Sequence, residues 1–214
     1  MSISIHRSVV SAFDENCWYL VNTRNNQGFF IDPGENFPEL VQQVEGTQTE
    51  PVAIINTHAH LDHIGAVSQL QHRYDIPFYL DSRDEYLLEL YPEHSAMFGV
   101  QAHATPHNSE ILDAVSHLDL AGINIEVLHT PGHTPGGVSF LVGNHLFTGD
   151  TLFKDSVGRV DLTGGDYESL RHSILSILLA LDDDTIVHPG HGEETTIGAE
   201  RRHNPFIRDW LSQG

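Results

Sequence analysis

The sequence predicts an α+β fold: an αββα sandwich of two mixed β-sheets with helices on the outer faces. Three observations carry that expectation. Short apolar runs bounded by Gly, Pro and Asn mark strands. Segments with apolar residues three or four apart mark helices between them. The rhythm of strands followed by strand–helix pairs returns in the second half of the 214-residue chain, which calls for two sheets packed together and covered by helices. The length suits a single domain over 1–214 with a sizeable core.

Residues 2–10 and 17–23 read as strands. The polar turn Arg24 to Gly28 leads into a third strand, Phe29-Phe30-Ile31, and Asp32-Pro33-Gly34 then breaks the chain. A short helix is expected over 38–45. Val52-Ala53-Ile54-Ile55 reads as a buried strand. Ile64, Val67, Leu70 and Tyr74 are spaced as on one helix face. A strand over 77–80 precedes a helix over 82–91, capped by Asp81 or Ser82. Residues 92–116, with Pro, Gly and three histidines, are expected to be loops. Further on, Ile123, Ile125 and Val127 alternate as in a strand. Residues 137–142 and 145–149 form a hairpin across Gly143-Asn144. A helix is expected from Tyr167 to about Leu181, a strand over 185–188 and a terminal helix over 204–212.

Composition excludes several classes. Thirty acidic against ten basic residues give a formal charge of −20, which repels nucleic acid and anionic lipid, so neither is an expected partner. No apolar stretch is long enough to span a membrane, and the N-terminus lacks the basic-then-apolar order of a signal peptide. A cytoplasmic location is the expectation. The single cysteine, Cys17, rules out an intrachain disulfide and reads as a small buried hydrophobe.

Sixteen histidines are many for this length. The densest group is Thr57-His58-Ala59-His60-Leu61-Asp62-His63, directly after the buried strand and before a helix. His58 and His60, two apart in extended chain, point the same way and can grip one ion. Asp62 and His63, at a helix start, diverge enough to face a second. Three later residues also sit just past strands beside Gly or Pro: His133 in Thr130 to Gly136, Asp150 after Thr148-Gly149, and His191 in His188 to Gly192. Singly, each has a bland reading as a turn histidine, a helix cap or an exposed loop residue. Together with the first motif they read as metal ligands.

With these seven residues the chain resembles the metallo-β-lactamase superfamily. Gly158-Arg159-Val160-Asp161-Leu162, Gly165-Asp166, Pro189 to Gly192, and Glu200 to Phe206 are similar to its glyoxalase II-like branch, in the short bacterial form known as type III hydroxyacylglutathione hydrolase. The resemblance runs from about Asn16 to Phe206. It implies that His58, His60 and His133 bind one metal, that Asp62, His63 and His191 bind another, and that Asp150 bridges them. Two divalent ions are implied, with zinc expected and iron or manganese as alternatives. The implied reaction is hydrolysis of a small-molecule thioester, S-2-hydroxyacylglutathione, by a metal-bridging hydroxide, with Asp62 orienting it. Arg159 and Lys154, the only lysine, are the implied grips for the substrate's carboxylates. The full C-terminal helical domain of long glyoxalase II enzymes is not expected. The true β-lactamases place a Cys near the Asp150 position, so antibiotic hydrolysis is disfavoured. Persulfide dioxygenases share the first motif and a Gly-Arg-x-Asp segment, and would imply a single iron held by two His and one Asp. His191-Gly192 fits the two-metal hydrolase better. A lactonase and a non-catalytic metal-binding protein complete the alternatives.

The other histidines are expected on the surface or in packing. His129 and His188, beside motif residues, are candidate hydrogen-bond partners of ligands, and His94, His103 and His107 are candidates to edge the cleft.

Overall fold

The computed structural model describes residues 2–213. Met1 and Gly214, the ends of the expected domain, lie outside the described residues. Strands β1 (Ile3–Val10), β2 (Glu15–Asn22) and β3 (Gln27–Ile31) form an antiparallel meander. Helix α1 (Phe37–Thr47) crosses to β4 (Glu50–Ile55), which lies parallel to β3. Helices α2 (Leu61–Ile64) and α3 (Val67–Tyr74) lead to β5 (Phe78–Leu80), and α4 (Glu85–Phe98) precedes the short β6 (Glu110–Ile111). These strands make one sheet in the order β1-β2-β3-β4-β5-β6.

The second half builds the other sheet from β7 (His117–Leu120), β8 (Ile123–His129), β9 (Val138–Val142) and β10 (His145–Gly149). A small hairpin follows, β11 (Leu152–Phe153) with β12 (Ser156–Val157), then helix α5 (Tyr167–His172). β13 (Ile186–Pro189), β14 (Thr195–Thr196), α6 (Ile197–His203) and α7 (Pro205–Gln213) complete the chain. The sheet order is β14-β13-β10-β9-β8-β7, with β10 and β13 parallel.

Alternation along the strands explains the layering. In β2, Trp18 and Leu20 face one way with Phe29 and Ile31 of β3 and Ala53 and Ile55 of β4. They meet Ile123, Ile125, Val127, Phe140 and Phe147 of the other sheet. Cys17, Tyr19 and Val21 face the opposite way with Phe30 and Ile54, against Leu40, Val67, Leu70 and Leu87 of the helices. On the far sheet, Leu146 and Val187 point outward to Leu170, Ile174, Ile207 and Trp210. Strands buried on both faces need continuous apolar runs, as these have. The αββα sandwich of two mixed sheets is therefore the observed fold, and Cys17 is buried as expected.

Several elements differ from expectation. The helix expected over 82–91 continues through Pro92 to Phe98, because Tyr91 and Ser95 carry its buried face onward. It ends at Gly99 in the left-handed region. Residues 92–116 are thus not all loop; the same segment also contributes β6. The helix expected over 64–74 starts at Leu61 and is interrupted at Gly65, where a Cβ would collide with the Gly34 carbonyl. The helix expected from Tyr167 to Leu181 widens over Ser173–Ile177 and tightens over Leu178–Ala180. β7, β11, β12, β14 and α6 were not legible, being short or lacking a clear period. No helix among the described residues is long and apolar enough to cross a membrane.

Candidate metal centre

The strand directions gather the chemistry at one edge. β3 and β4 are parallel and end side by side at Asp32 and Asn56. β8 and β10 both run antiparallel to β9, and β13 runs parallel to β10, so all three end at a common edge. Ligands in sheets with parallel strands bind outside such carboxyl ends. The edges of the two sheets are tied together there. Val138 N donates to Thr57 O at 2.9 Å, and Asn16 N to Gly190 O at 2.7 Å.

All seven sequence-derived ligand candidates converge at this edge. His58, His60 and His133 form one group, and Asp62, His63 and His191 a second, each with ligand atoms within 4.8 Å of one another. Asp150 lies between them. Its Oδ2 is 3.6 Å from His133 Nε2 and 3.6 Å from His191 Nε2, while its Oδ1 is 3.4 Å from His63 Nε2. Asp62 Oδ2 is 3.2 Å from His191 Nε2.

The hydrogen bonds behind the rings fix which nitrogen faces inward. His133 Nδ1 donates to the Arg159 carbonyl at 2.8 Å and His191 Nδ1 to the Phe13 carbonyl at 3.1 Å, so both Nε2 atoms face into the site. Thr57 Oγ1 donates to Asp32 Oδ2 at 2.6 Å and accepts from His58 Nδ1 at 3.0 Å. His58 Nε2 then points into the site. His60 presents Nδ1, 2.9 Å from His133 Nε2. Such outward bonds are the usual way to orient metal-binding imidazoles.

Whether these residues suit metal is testable on the buried atoms themselves. His58 Nε2, His63 Nε2 and Asp150 Oδ1 are buried with no protein hydrogen-bond partner. Unpaired buried polar atoms are costly, and these three converge on the same space. An imidazole and carboxylate set with inward lone pairs is a donor set for divalent metal. The residues therefore fit the ions the sequence implies.

The two groups differ electrically. Burial pushes His60 down to about 3 and, with the neighbouring imidazoles, holds His58 well below the usual histidine range. In the second group burial acts the same way on His63 and is outweighed by Asp150 and Asp62, so His63 is raised well above the usual range. His191 is also raised, burial being overcome by its bond to Asp62. Burial pushes the Asp150 carboxyl up, but His63, His133 and His191 hold it well below the usual carboxylate range.

Three acidic residues at the centre were missed by sequence reasoning. Asp32, read only as part of a chain break, accepts from Thr57 N at 2.7 Å and Thr57 Oγ1, and lies 3.2 Å from His63 Nδ1. Glu15 lies fully buried 3.8 Å from the same Nδ1, pushed well above the usual carboxylate range by burial. Asp84, placed in a helix by its spacing, joins two ligand loops. It accepts from Ala59 N at 3.3 Å, Thr134 Oγ1 at 2.7 Å and Gly136 N at 2.7 Å. The available signal for Asp32 was its place after a strand beside β4; for Glu15 and Asp84 the sequence held none.

The substrate candidates lie beside the ligands. Arg159 is exposed and clasped by Asp161 at 2.6 and 2.7 Å, and Lys154 by Glu193 at 2.5 Å. His94 lines the cleft as expected, whereas His103 lines a separate depression. His188 stacks on Phe147 and bonds Glu194 and His145. His129 bonds the Val115 carbonyl.

Residues 10–191 match the family described as the metallo-beta-lactamase superfamily. The chain is 39% identical to hydroxyacylglutathione hydrolase GloC of Haemophilus influenzae over 202 residues, covering 92% of this chain and 95% of that protein. The crystal structure of BLEG-1 B3 metallo-beta-lactamase matches with a TM-score of 0.89 at 36% identity, over 95% of this chain and 99% of that one. The structure of TTHA1623 in a di-iron-bound form matches with a TM-score of 0.84 at 38% identity, over 94% and 99%.

Proposed function

The chain belongs to the metallo-beta-lactamase superfamily, and on that premise we propose that it is a cytoplasmic hydrolase of S-2-hydroxyacylglutathione thioesters. It is a metallo-hydrolase by its relatives; the thioester is our reading. The observation that carries it is Asp150, whose carboxylate touches both triads and so suits a two-ion centre. Two divalent ions held there supply Lewis acidity and a water acidic enough to attack at neutral pH. Zinc fits the three imidazoles of the first triad. The mixed triad also suits iron or manganese, and a di-iron form is described for TTHA1623.

The chain's own residues do the rest. Asp62, beside His191 and lining the cleft, orients the attacking water and accepts its hydrogen bond. The water oxygen bonds to the thioester carbon, the C–S bond breaks with its electron pair on sulfur, and a proton from water completes the thiol. Arg159 and Lys154 both line a groove beside Asp150 and His191, where they can hold the carboxylates of the thiol half. Each must exchange an acidic neighbour for the substrate, so the grip is modest.

A second reading, β-lactam hydrolysis, is favoured by the likeness to BLEG-1, while the likeness to GloC favours the thioester. One panel separates the readings: metal analysis beside turnover of S-lactoylglutathione, a lactone, a penicillin, and glutathione persulfide with oxygen uptake. The proposal expects two equivalents of metal and thioester turnover that chelation abolishes. One tightly held iron with persulfide-dependent oxygen uptake would overturn it, as would penicillin hydrolysis without thioester hydrolysis.

A further inference from the structure

The site opens into two unlike clefts, and a small hydroxyacyl thioester accounts for only one. A groove of about 440 Å³ holds Lys154 and Arg159 together with Ser156 and Glu193. The other, about 450 Å³, shares Asp150, Arg159 and His191 with it. Beyond the polar floor of His60, Asp62 and His133, and apart from His94 and Thr163, its wall is apolar: Phe13, Leu61, Leu87, Met97, Phe98 and Leu162. Volumes of this size are those of small-molecule pockets.

This apolar wall is not ordinary surface. Eight large hydrophobic side chains are exposed among the described residues, and three of them, Met97 (70%), Phe98 (54%) and Leu162 (37%), line this one cleft. Exposed apolar groups gathered beside polar ones mark a binding place. Helix α4 delivers two of the three by running on past Pro92 to its end at Phe98. The Phe98 ring meets Phe13 edge to face with centroids 5.9 Å apart, and the Phe13 carbonyl holds the His191 ring. The wall is thus built directly onto a ligand. Arg159 is the only Lys or Arg that lines the cleft, and the molecule carries a net charge of −20. An anionic substrate group is disfavoured there, and an apolar one is favoured.

We infer that this cleft is an acyl subsite: the substrate carries, on the carbonyl side of the scissile bond, an apolar chain or ring larger than the methyl of a lactoyl group. The inference rests on the hydrolase reading for its reaction, and on the walls alone for its ligand class. The thiol half lies toward Lys154 and Arg159, and the acyl half toward Met97 and Phe98, with the reacting carbonyl over Asp62, Asp150 and His191.

The test has one arm without turnover. Calorimetric binding of straight-chain 2-hydroxy acids, from lactate to 2-hydroxyoctanoate, to the metal-loaded protein should tighten about two- to fourfold per added methylene until the cleft is full. The kcat/KM of the matching glutathione thioesters should rise in parallel. Phe98→Glu and Met97→Glu, at exposed positions near the helix end, should flatten both trends while metal content stays at the wild-type value. Leu211→Glu, an exposed apolar residue on α7, should leave both trends intact. Binding that does not change with chain length overturns the acyl subsite even if lactoyl thioester is hydrolysed. Chain-dependent binding without thioester turnover upholds the subsite and overturns the thioester reading. Trends that survive Phe98→Glu and Met97→Glu place the chain elsewhere and overturn the assignment.

Discussion

The two triads are built from similar residues yet are opposite in character. His58, His60 and His133 form an all-imidazole group in which burial makes His58 and His60 resist protons. Asp62, His63 and His191 form a mixed group in which facing carboxylates raise the proton affinity of both imidazoles. In the first triad two of the three rings stay neutral without an ion. The second must give up protons to receive one. Asp150 belongs to both, and its contacts make the difference matter: whatever weakens one triad is felt by the other through a single carboxylate.

The largest expected effect comes from removing that link. Asp150→Ala should lose the second ion, since the remaining ligands then face a less compensated pair of cations. Hydrolysis should fall by about a thousandfold or more, because the acidified water depends on both ions. The fold should persist, because the apolar residues of β10 before Asp150 carry the packing. Metal stoichiometry, turnover and a circular dichroism spectrum check this. Two retained ions with normal turnover would separate Asp150 from the centre.

A smaller effect should distinguish the triads. Asp84 clasps the loop that carries His58 and His60 to the loop that carries His133. Asp84→Asn, which turns acceptor oxygens into a donor, should weaken the ion of the first triad by about 10- to 100-fold. The ion of the second triad should change much less. Competitive chelator titration reads the two affinities separately, and equal losses would show that Asp84 does not act on the first triad in particular.

pH should divide them next. His63 and His191 have raised proton affinities, so below those values protons compete with the second ion. Its affinity should fall by about tenfold per pH unit for each proton displaced. In the first triad His60 is pushed down to about 3 and His58 is also lowered, so the first ion should lose less affinity than the second from pH 8 to pH 5. Ion binding followed across that range checks the sign. A first ion lost before the second would reverse the comparison.

Arg159→Ala should be smallest. The side chain is exposed and already paired with Asp161, so KM for a glutathione thioester should rise by about threefold with kcat nearly unchanged. An unchanged KM would leave Arg159 as a surface ion pair with no part in holding the thiol half.

The first triad was the more legible in sequence. His58 and His60 alternate along extended chain directly after a strand whose apolar run is unmistakable, and the sandwich followed from the same kind of run. What holds the triads was not legible. Asp32 braces Thr57 only because β3 and β4 lie parallel, a pairing that no local pattern announces. Asp84 carries no sign of burial, since it follows Arg83 and precedes Glu85 in a polar stretch. The reach of α4 was hidden by Pro92, whose usual role as a helix stop is overridden by the buried face around Tyr91. The apolar wall at Met97 and Phe98 was hidden with it.

The most direct test of the two-triad account is an anomalous-diffraction map of the metal-loaded crystal, recorded at the absorption edge of the bound metal. Two peaks are expected: one among His58, His60 and His133, the other among Asp62, His63 and His191, with Asp150 in contact with both. A single peak held by two histidines and one carboxylate, with the second triad empty at saturating metal, would contradict it.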